Sequence, residues 1–350
     1  MPFPVDDARV GAKSSPRRSR ASVLPRGNRK VLMIAYAFPS TDGSGLKRSA
    51  EFAKCLPQFG WLPTVWTADE VDGLPRDPTL SDKLPPEVEE CPRNAGSGIL
   101  AMRRSLRGFV NARAGEGITA VASRFAKAID WRLEAWQSAT SLPDDCIPWA
   151  RRSVGTLTRQ VRSESFDVIY STFSPASNHW LALELKRRMS KNLPWVADFR
   201  DLWADDCRYR EPSPQRRAAH RQLEQEVLEA ADVVIAVSER QRRILADQMP
   251  AKRDKFITIT NGFDPAECHC WNNSGQPMLH EQPHCSRAVA HPESQGDSRF
   301  NTSSACGSEG LEAYSRMELT RRLASVFDRL ADRAAEAVET VHESLATCPP

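Results

Sequence analysis

The sequence predicts an α/β domain built on a doubly wound, mainly parallel sheet, and three observations predict it. First, six short apolar runs recur along the chain: Lys30–Ala37, Trp61–Ala68, Asp167–Thr172, Pro194–Phe199, Asp232–Val237 and Lys255–Thr260. They lack the strict polar alternation of a half-solvated strand and read as strands buried on both faces. Second, stretches of helical spacing separate them, the strand–helix alternation of a parallel sheet. Third, residues 30–68 read as strand, turn-rich loop, helix and strand, a βαβ unit whose crossover is right-handed. Together these describe a Rossmann-like sheet, in which ligands gather at the carboxyl ends of the strands.

The elements follow in order. Residues 1–29 scatter Arg9, Lys13, Arg17, Arg18, Arg20, Arg26 and Arg29 among Ser, Pro and Gly, too little apolar surface to fold. They read as a disordered basic leader or an arm for an anionic membrane surface. After the first strand comes the loop Phe38–Gly45, FPSTDGSG, then a helix with Leu46, Ala50, Ala53 and Leu56 on one face, ended by Pro57 and Gly60. Residues 69–97 are rich in Asp, Pro and Gly and read as irregular. Residues 99–136 are helical in character, and Arg103, Arg104 and Arg107 make 99–110 a basic amphipathic segment. It suits either a surface helix packed on the sheet or an interfacial helix on anionic lipid. A helix is expected over Ile147–Val161, another after the loop Phe173–Asn178, and a charged one over Pro214–Ala230. Ser238 is placed to cap the helix that follows the fifth strand.

Beyond the turn Asn261–Asp264 the alternation stops. Residues 266–308 hold Cys268, Cys270, His280, His284 and Cys285 amid Asn, Ser, Gln and Pro. One residue between Cys268 and Cys270 is too few for a structural zinc site, so unstructured sequence is expected and no metal. A final amphipathic helix is expected over Glu312–Leu345, with Leu319, Leu323, Val326, Leu330, Ala334, Val338, Val341 and Leu345 on one stripe. Its partner, the same domain or a second copy, is left open by the sequence.

Composition narrows the function. A formal net charge of +3 is too small to indicate nucleic acid. No apolar run approaches the roughly 20 residues needed to span a bilayer. The N-terminus has no apolar core behind its charges, so no secretory signal is read there. Cysteines without paired spacing suit a reducing, cytoplasmic compartment. Without GxGxxG or a Walker pattern, a nicotinamide enzyme or an ATPase is poorly supported, and no cofactor is expected.

The stretch Pro194–Trp203, PWVADFRDLW, concentrates the candidate chemistry. An apolar strand runs into Asp198, Arg200, Asp201 and Trp203 within one turn, at the sheet edge where α/β domains act. Arg200 has no accessible neutral form and cannot be a general base. It can stabilise the negative charge of a leaving diphosphate or hold an acceptor carboxylate or phosphate. Asp201 can orient it or accept from a sugar hydroxyl. A purely structural Asp–Arg pair would read the same.

Four stretches in this order resemble the N-terminal domain of glycosyltransferase family 4, which has the two-domain GT-B fold. They are KVLMIAYAFPSTDGSGLKRSAEFAKCLPQFGWLPTVWT, FDVIYSTFSPASNHWLALELKRR, PWVADFRDLWADD, and LEQEVLEAADVVIAVSERQRRIL ending in ITITNGFDP. The resemblance covers roughly residues 29–266. It implies transfer of a sugar from a nucleotide-sugar donor to a glycan or lipid-linked acceptor, with retention, in polysaccharide or glycolipid synthesis. It places the protein in the cytoplasm, with the inner face of the cell membrane as a peripheral site and no nucleic-acid partner. Arg200 stands where many members carry His, as in a DFRD-x-W subgroup, so Arg200 and Asp201 are the catalytic candidates. Gly43, Ser44 and Gly45 would approach the donor diphosphate, since glycines let backbone N–H groups close on phosphate oxygens at a helix start; a tight turn alone would also use them. Ser174 and His179 of the FSPASNH loop and Asn261 of NGFDP complete the substrate-binding set. That loop is usually written with two prolines and two histidines, and Ala176 falls where the first histidine is common.

The implied organisation is a leader (1–29), an N-terminal Rossmann-like domain (30–265), a low-order linker (266–308) and a C-terminal helix (309–346). The family's donor-binding unit, with its Glu-x7-Glu motif, has no counterpart in 267–350. The expectation is therefore an acceptor-side half, truncated, acting with a complementary domain. The alternative is a non-catalytic remnant or acceptor- or membrane-binding module.

Overall fold

The computed structural model describes residues 29–39, 44–71, 74–75, 81–82, 84–93, 128–129, 132, 141–189, 193–204, 213–262 and 312–346. The leader over 1–28, Gly43, the basic segment 99–110 and the linker 266–308 lie outside the described residues.

Seven strands form one parallel sheet: β1 (Arg29–Ile34), β2 (Trp61–Ala68), β5 (Glu89–Arg93), β6 (Val168–Phe173), β7 (Trp195–Phe199), β8 (Val233–Ala236) and β9 (Phe256–Thr258). Their spatial order is β5-β2-β1-β6-β7-β8-β9. The chain winds outward from β1 to β5, then returns to the other side of β1 at β6, which is the doubly wound Rossmann-like arrangement expected from the sequence. β3 (Glu70–Val71) and β4 (Leu74–Pro75) form a separate antiparallel pair. The helices are α1 (Ser44–Cys55), α2 (Ile147–Ser163), α3 (Ser177–Arg188), α4 (Pro214–Ala230), α5 (Glu239–Asp247) and α6 (Arg316–Ala346).

All six expected strands are present, and β5 is an addition inside the stretch read as irregular. Its sequence, EECPR, is charged and contains Pro, and only Cys91 in it is buried. Those are the features of an edge strand, which needs neither two apolar faces nor every N–H. Pro63 in β2 follows the same logic. It pairs with Val31 of β1, while β5 joins β2 only from Thr64 onward. At Pro63 β2 is still an edge, so the missing N–H breaks no ladder bond.

The strands send alternate side chains to two faces. On one face Leu32, Ile169, Trp195, Ala197 and Phe199 pack with Trp149 of α2, Leu181 of α3, Val227 of α4 and Leu245 of α5. On the other, Val31, Met33, Tyr170, Val196 and Ile235 pack with Phe52 of α1 and with α6. Continuous apolar runs were required because both faces are covered.

The packing of α6 answers what the sequence left open. Leu319, Leu323, Val326, Phe327, Leu330 and Ala331 are buried in the second face of this same sheet. Phe327 sets its ring edge-on to Trp61 (centroids 5.2 Å) and to Tyr170 (6.1 Å). The helix starts beside Gly262, past the carboxyl end of β9. Farther along it, Asp328 and Asp332 reach Arg29 at the amino end of β1, at 3.3 and 2.5 Å. It therefore runs antiparallel to the strands. Past Ala331 the described side chains of the helix turn toward solvent, and Val338 is exposed.

Candidate functional site

The sheet order reverses between β1 and β6, and a crevice at the carboxyl ends of such a pair is the usual ligand position in this architecture. Here the crevice floor is stitched shut. Asn178, in the first turn of α3, accepts from Tyr36 N (3.0 Å) and donates to Thr172 O (2.8 Å), joining the chain leaving β1 to β6. Thr67 of β2 donates to the carbonyls of Tyr36 (3.0 Å) and Phe38 (3.2 Å) from the other side. Only groups above this floor can meet a ligand.

Arg200 stands there, just past β7. Its Nε donates to Phe173 O and its Nη2 to Ser174 O at 3.1 Å, so the guanidinium clamps the loop that follows β6. Nη1 makes no hydrogen bond among the described residues. Burial pulls the Arg200 pKa down while Asp198 and Asp201 pull it back up, and the group remains a cation. The turn after it is braced independently. Trp203 is buried, stacks near Phe173 (6.1 Å) and donates its indole N–H to His220 Nδ1 at 3.0 Å. Ala204 N donates to Glu224 of α4 (3.2 Å), and Gln241 of α5 donates to Arg200 O (3.4 Å).

Asp198 is held toward α1. Its carboxylate accepts from Arg48 Nε (2.8 Å), Arg48 Nη2 (3.3 Å) and the Tyr170 hydroxyl (2.5 Å). Arg48 also donates to Ile259 O (2.8 Å) and Thr260 O (2.6 Å) and lies over the Phe52 ring. One guanidinium thus joins α1, β7 and the segment that leaves β9. Burial lowers the Arg48 pKa, but Asp198 and Tyr170 together outweigh it, and the net shift is upward. Burial, then Asp198, holds the Tyr170 phenol well above its usual value.

His179 lies deeper. It has no exposed surface, and its Nδ1 is 2.7 Å from Ser171 Oγ, which also accepts from Trp195 Nε1 at 2.8 Å. Phe199 sits 4.6 Å away, ring to ring. Burial lowers its pKa to about 3, with Arg200 repulsion adding to the effect. A neutral ring walled in by aromatics acts on a ligand only through what it supports, here the strand beneath Arg200.

Helix N-termini are the natural phosphate seats of such a fold. That of α3 is filled from within: Asp144 accepts from Ser177 N (3.0 Å) and Ser177 Oγ (2.5 Å) and also from Cys146 N (3.0 Å). Ser213 caps α4, and Ser238, as expected from the sequence, caps α5. Helix α1 begins at Ser44 and has no acidic residue in its first turn.

The candidate residues fall into two groups. Arg200, Asp201, Ser174 and His179 gather where the loops after β6 and β7 meet. Ser44 and Gly45 open α1 one turn before Arg48, and Asn261 follows the carbonyl that Arg48 holds. The Arg48–Asp198 pair connects the groups. Arg48, Asp198, Tyr170, Asp144 and Asn178 had no assigned role in the sequence, and each acts through a partner distant in the chain. Two of them carried a local signal: Asn178 through the FSPASNH loop, and Asp198 through PWVADFRDLW.

A doubly wound α/β domain with an arginine held at the carboxyl edge is the class of protein this geometry defines. Within it, residues 137–267 match the model of Glycosyltransferase Family 4. The match takes in three of the four stretches that carried the resemblance, including PWVADFRDLW, and bears that recognition out there. Over those residues the chain is similar to that glycosyltransferase family. It is also similar to two solved structures. One is Phytolacca americana UGT2 complexed with UDP-2fluoro-glucose and pterostilbene, 12% identical over 67% of this chain and 54% of that one, TM-score 0.35. The other is a complex between a UDP-glucosyltransferase from Polygonum tinctorium capable of glucosylating indoxyl and 3,4-dichloroaniline, 13% identical over 77% of this chain and 56% of that one, TM-score 0.37. The chain spans just over half the length of each. No curated protein matches. No helix among the described residues is long and apolar enough to cross a membrane.

Proposed function

We propose that the chain supplies the acceptor-side wall of a retaining, nucleotide-sugar-dependent glycosyl transfer, with the donor-binding wall contributed by a complementary domain. The observation that carries this reading is Arg200. Two of its nitrogens are fixed to backbone carbonyls, and Nη1 is left without a partner among the described residues at the ligand edge of the sheet. A preorganised cation of that kind stabilises charge developing on a leaving diphosphate without reorganising. Asp201, with Asp198, favours its charged form, and Asp201 can accept from a sugar hydroxyl. By the family resemblance, Ser174, Ser44 and Gly45 at the start of α1, and Asn261 would complete the substrate-binding set, together with Gly43, which lies outside the described residues. A glycan or lipid-linked acceptor suits this wall, and a lipid-linked one would be met at the inner face of the cell membrane, from the cytoplasm. No base is assigned to His179, because a leaving phosphate can take the acceptor proton.

Calorimetric titration of the full chain with UDP-, GDP- and ADP-sugars tests the reading. Because Arg200 on this wall reaches the donor diphosphate in this reading, the expected result is weak but saturable binding of one donor class by the chain alone, weakened at least tenfold by Arg200→Ala. No heat with any donor, or equal heat with the variant, overturns it. A second reading, an acceptor-binding module without transfer, is favoured by one observation: the described residues build a single doubly wound sheet and hence one wall of a cleft. Its signature is acceptor binding without donor binding.

A further inference from the structure

The opposite edge of the sheet holds a cavity that the transfer reading does not use. It measures about 400 Å³ and lies between α6 and the amino ends of β8 and β9. That volume falls in the range of small-molecule sites, roughly 300–1,000 Å³. Its apolar wall is Val326 and Leu330 of α6 with Val233 and Ile257 of the strands. Its charged lining is Lys252, Lys255, Arg329 and Arg333 against Asp232 and Asp254.

These charges do not cancel. Asp232 is already committed: it accepts from Lys186 Nζ (3.0 Å) and Trp195 N (2.7 Å). Lys255 turns its ammonium to the carbonyls of Leu228 and Ala231, neutral acceptors that leave the charge in place. Burial lowers its pKa; repulsion from Lys252 adds to this, while Asp232 and Glu229 oppose it. The basic residues elsewhere on α6 make a useful contrast. Arg321 and Arg322 share Glu318, at 2.6 and 3.2 Å. Arg329 and Arg333, four residues apart on one side of the helix, have no hydrogen bond or ion pair among the described residues. Like charges at that spacing repel mildly, and a ligand anion would relieve the repulsion.

We propose that this cavity binds a phosphate-bearing amphiphile. The phosphate sits among Lys252, Arg329 and Arg333, where guanidinium forks match its oxygens, and the apolar portion lies against Val326 and Ile257. Bound there, the ligand bridges α6 to the sheet. The site lies at the edge away from Arg200, so its occupancy is independent of donor binding.

The test is calorimetry on the full chain with n-octyl phosphate, inorganic phosphate and n-octanol. Octyl phosphate is expected to bind at least tenfold tighter than inorganic phosphate, and octanol not to bind. Arg329→Glu with Arg333→Glu, both at exposed positions, should weaken octyl phosphate at least tenfold while leaving the thermal midpoint within a few degrees; Lys252→Glu should act in the same direction. Equal binding by these variants, or octyl phosphate binding no tighter than inorganic phosphate, overturns the proposal. Sedimentation with phosphatidic acid vesicles, but not phosphatidylcholine vesicles, that is lost in the Arg329/Arg333 variant identifies the natural source as a lipid headgroup. Octyl phosphate binding without such sedimentation identifies a soluble phosphate ester. Either result supports the site.

Discussion

Arg48 and Asp198 stand 150 residues apart in the chain and meet in a buried two-pronged ion pair, at 2.8 and 3.3 Å. The pair holds α1 against the carboxyl end of β7, beneath the edge that carries Arg200. Breaking one side of a buried pair leaves an uncompensated charge, which typically costs about 3–5 kcal/mol. Arg48→Met is expected to lose stability in that range in urea unfolding. Asp198→Asn combined with Arg48→Met should recover a substantial part of it, because the stranded charge is gone. A double variant as unstable as the sum of its single changes would refute the coupling.

His179 makes stability pH-dependent. Its pKa is about 3 in the folded chain, against an ordinary 6.5. The unfolded chain therefore binds the extra proton first as pH falls. The contribution of neutral His179 is fully present above pH 6.5 and is lost between there and about pH 3. The slope is up to about 1.4 kcal/mol per pH unit. Comparing urea midpoints at pH 7.5 and 5 should give a loss that His179→Asn reduces. An unchanged pH dependence in that variant would remove His179 as the source.

Gly262 is required by close approach. A Cβ there would lie 2.6 Å from Leu319 Cδ1 and 2.9 Å from Tyr314 O. The side chain can yield but the carbonyl cannot without moving the start of α6. Gly262→Ala is expected to cost about 1–3 kcal/mol, the range of overpacking. Hydrogen exchange should quicken first in α6. Unaltered protection of α6 would count against this account.

The attachment of α6 rests on packing more than on charge. Phe327→Ala removes a ring in contact with Trp61 and Tyr170 and should cost about 3–5 kcal/mol. Arg29→Ala removes ion pairs to Asp328 and Asp332 whose side chains are about one-fifth to two-fifths exposed. That change should cost about 1 kcal/mol or less. Urea unfolding of the two variants gives the order directly, and the reverse order would make the helix an electrostatic attachment.

The legible parts of the chain were those whose physics is local. Buried parallel strands need uninterrupted apolar runs, so β1, β2, β6, β7, β8 and β9 could be read from neighbouring residues. Ser238 could be read as a cap because a cap lies next to its helix. β5 was missed because an edge strand is released from the rule that marks the others. Phe327 was left out of the stripe expected for the last helix, although it lies in the centre of the contact. A seven-residue repeat does not register a second buried row on a helix pressed broadly against a sheet.

By itself, the sequence determined the α/β class, the positions of six strands of the sheet and the family resemblance carried by PWVADFRDLW, all of which depend on periodicity and short motifs. Tertiary structure alone decided that Asp198 serves Arg48, that Asp144 fills the N-terminus of α3, and that α6 covers this domain. Each of those outcomes joins groups far apart in the chain. Their energies come from desolvation and from partners that only the folded topology brings together, and no local pattern encodes them.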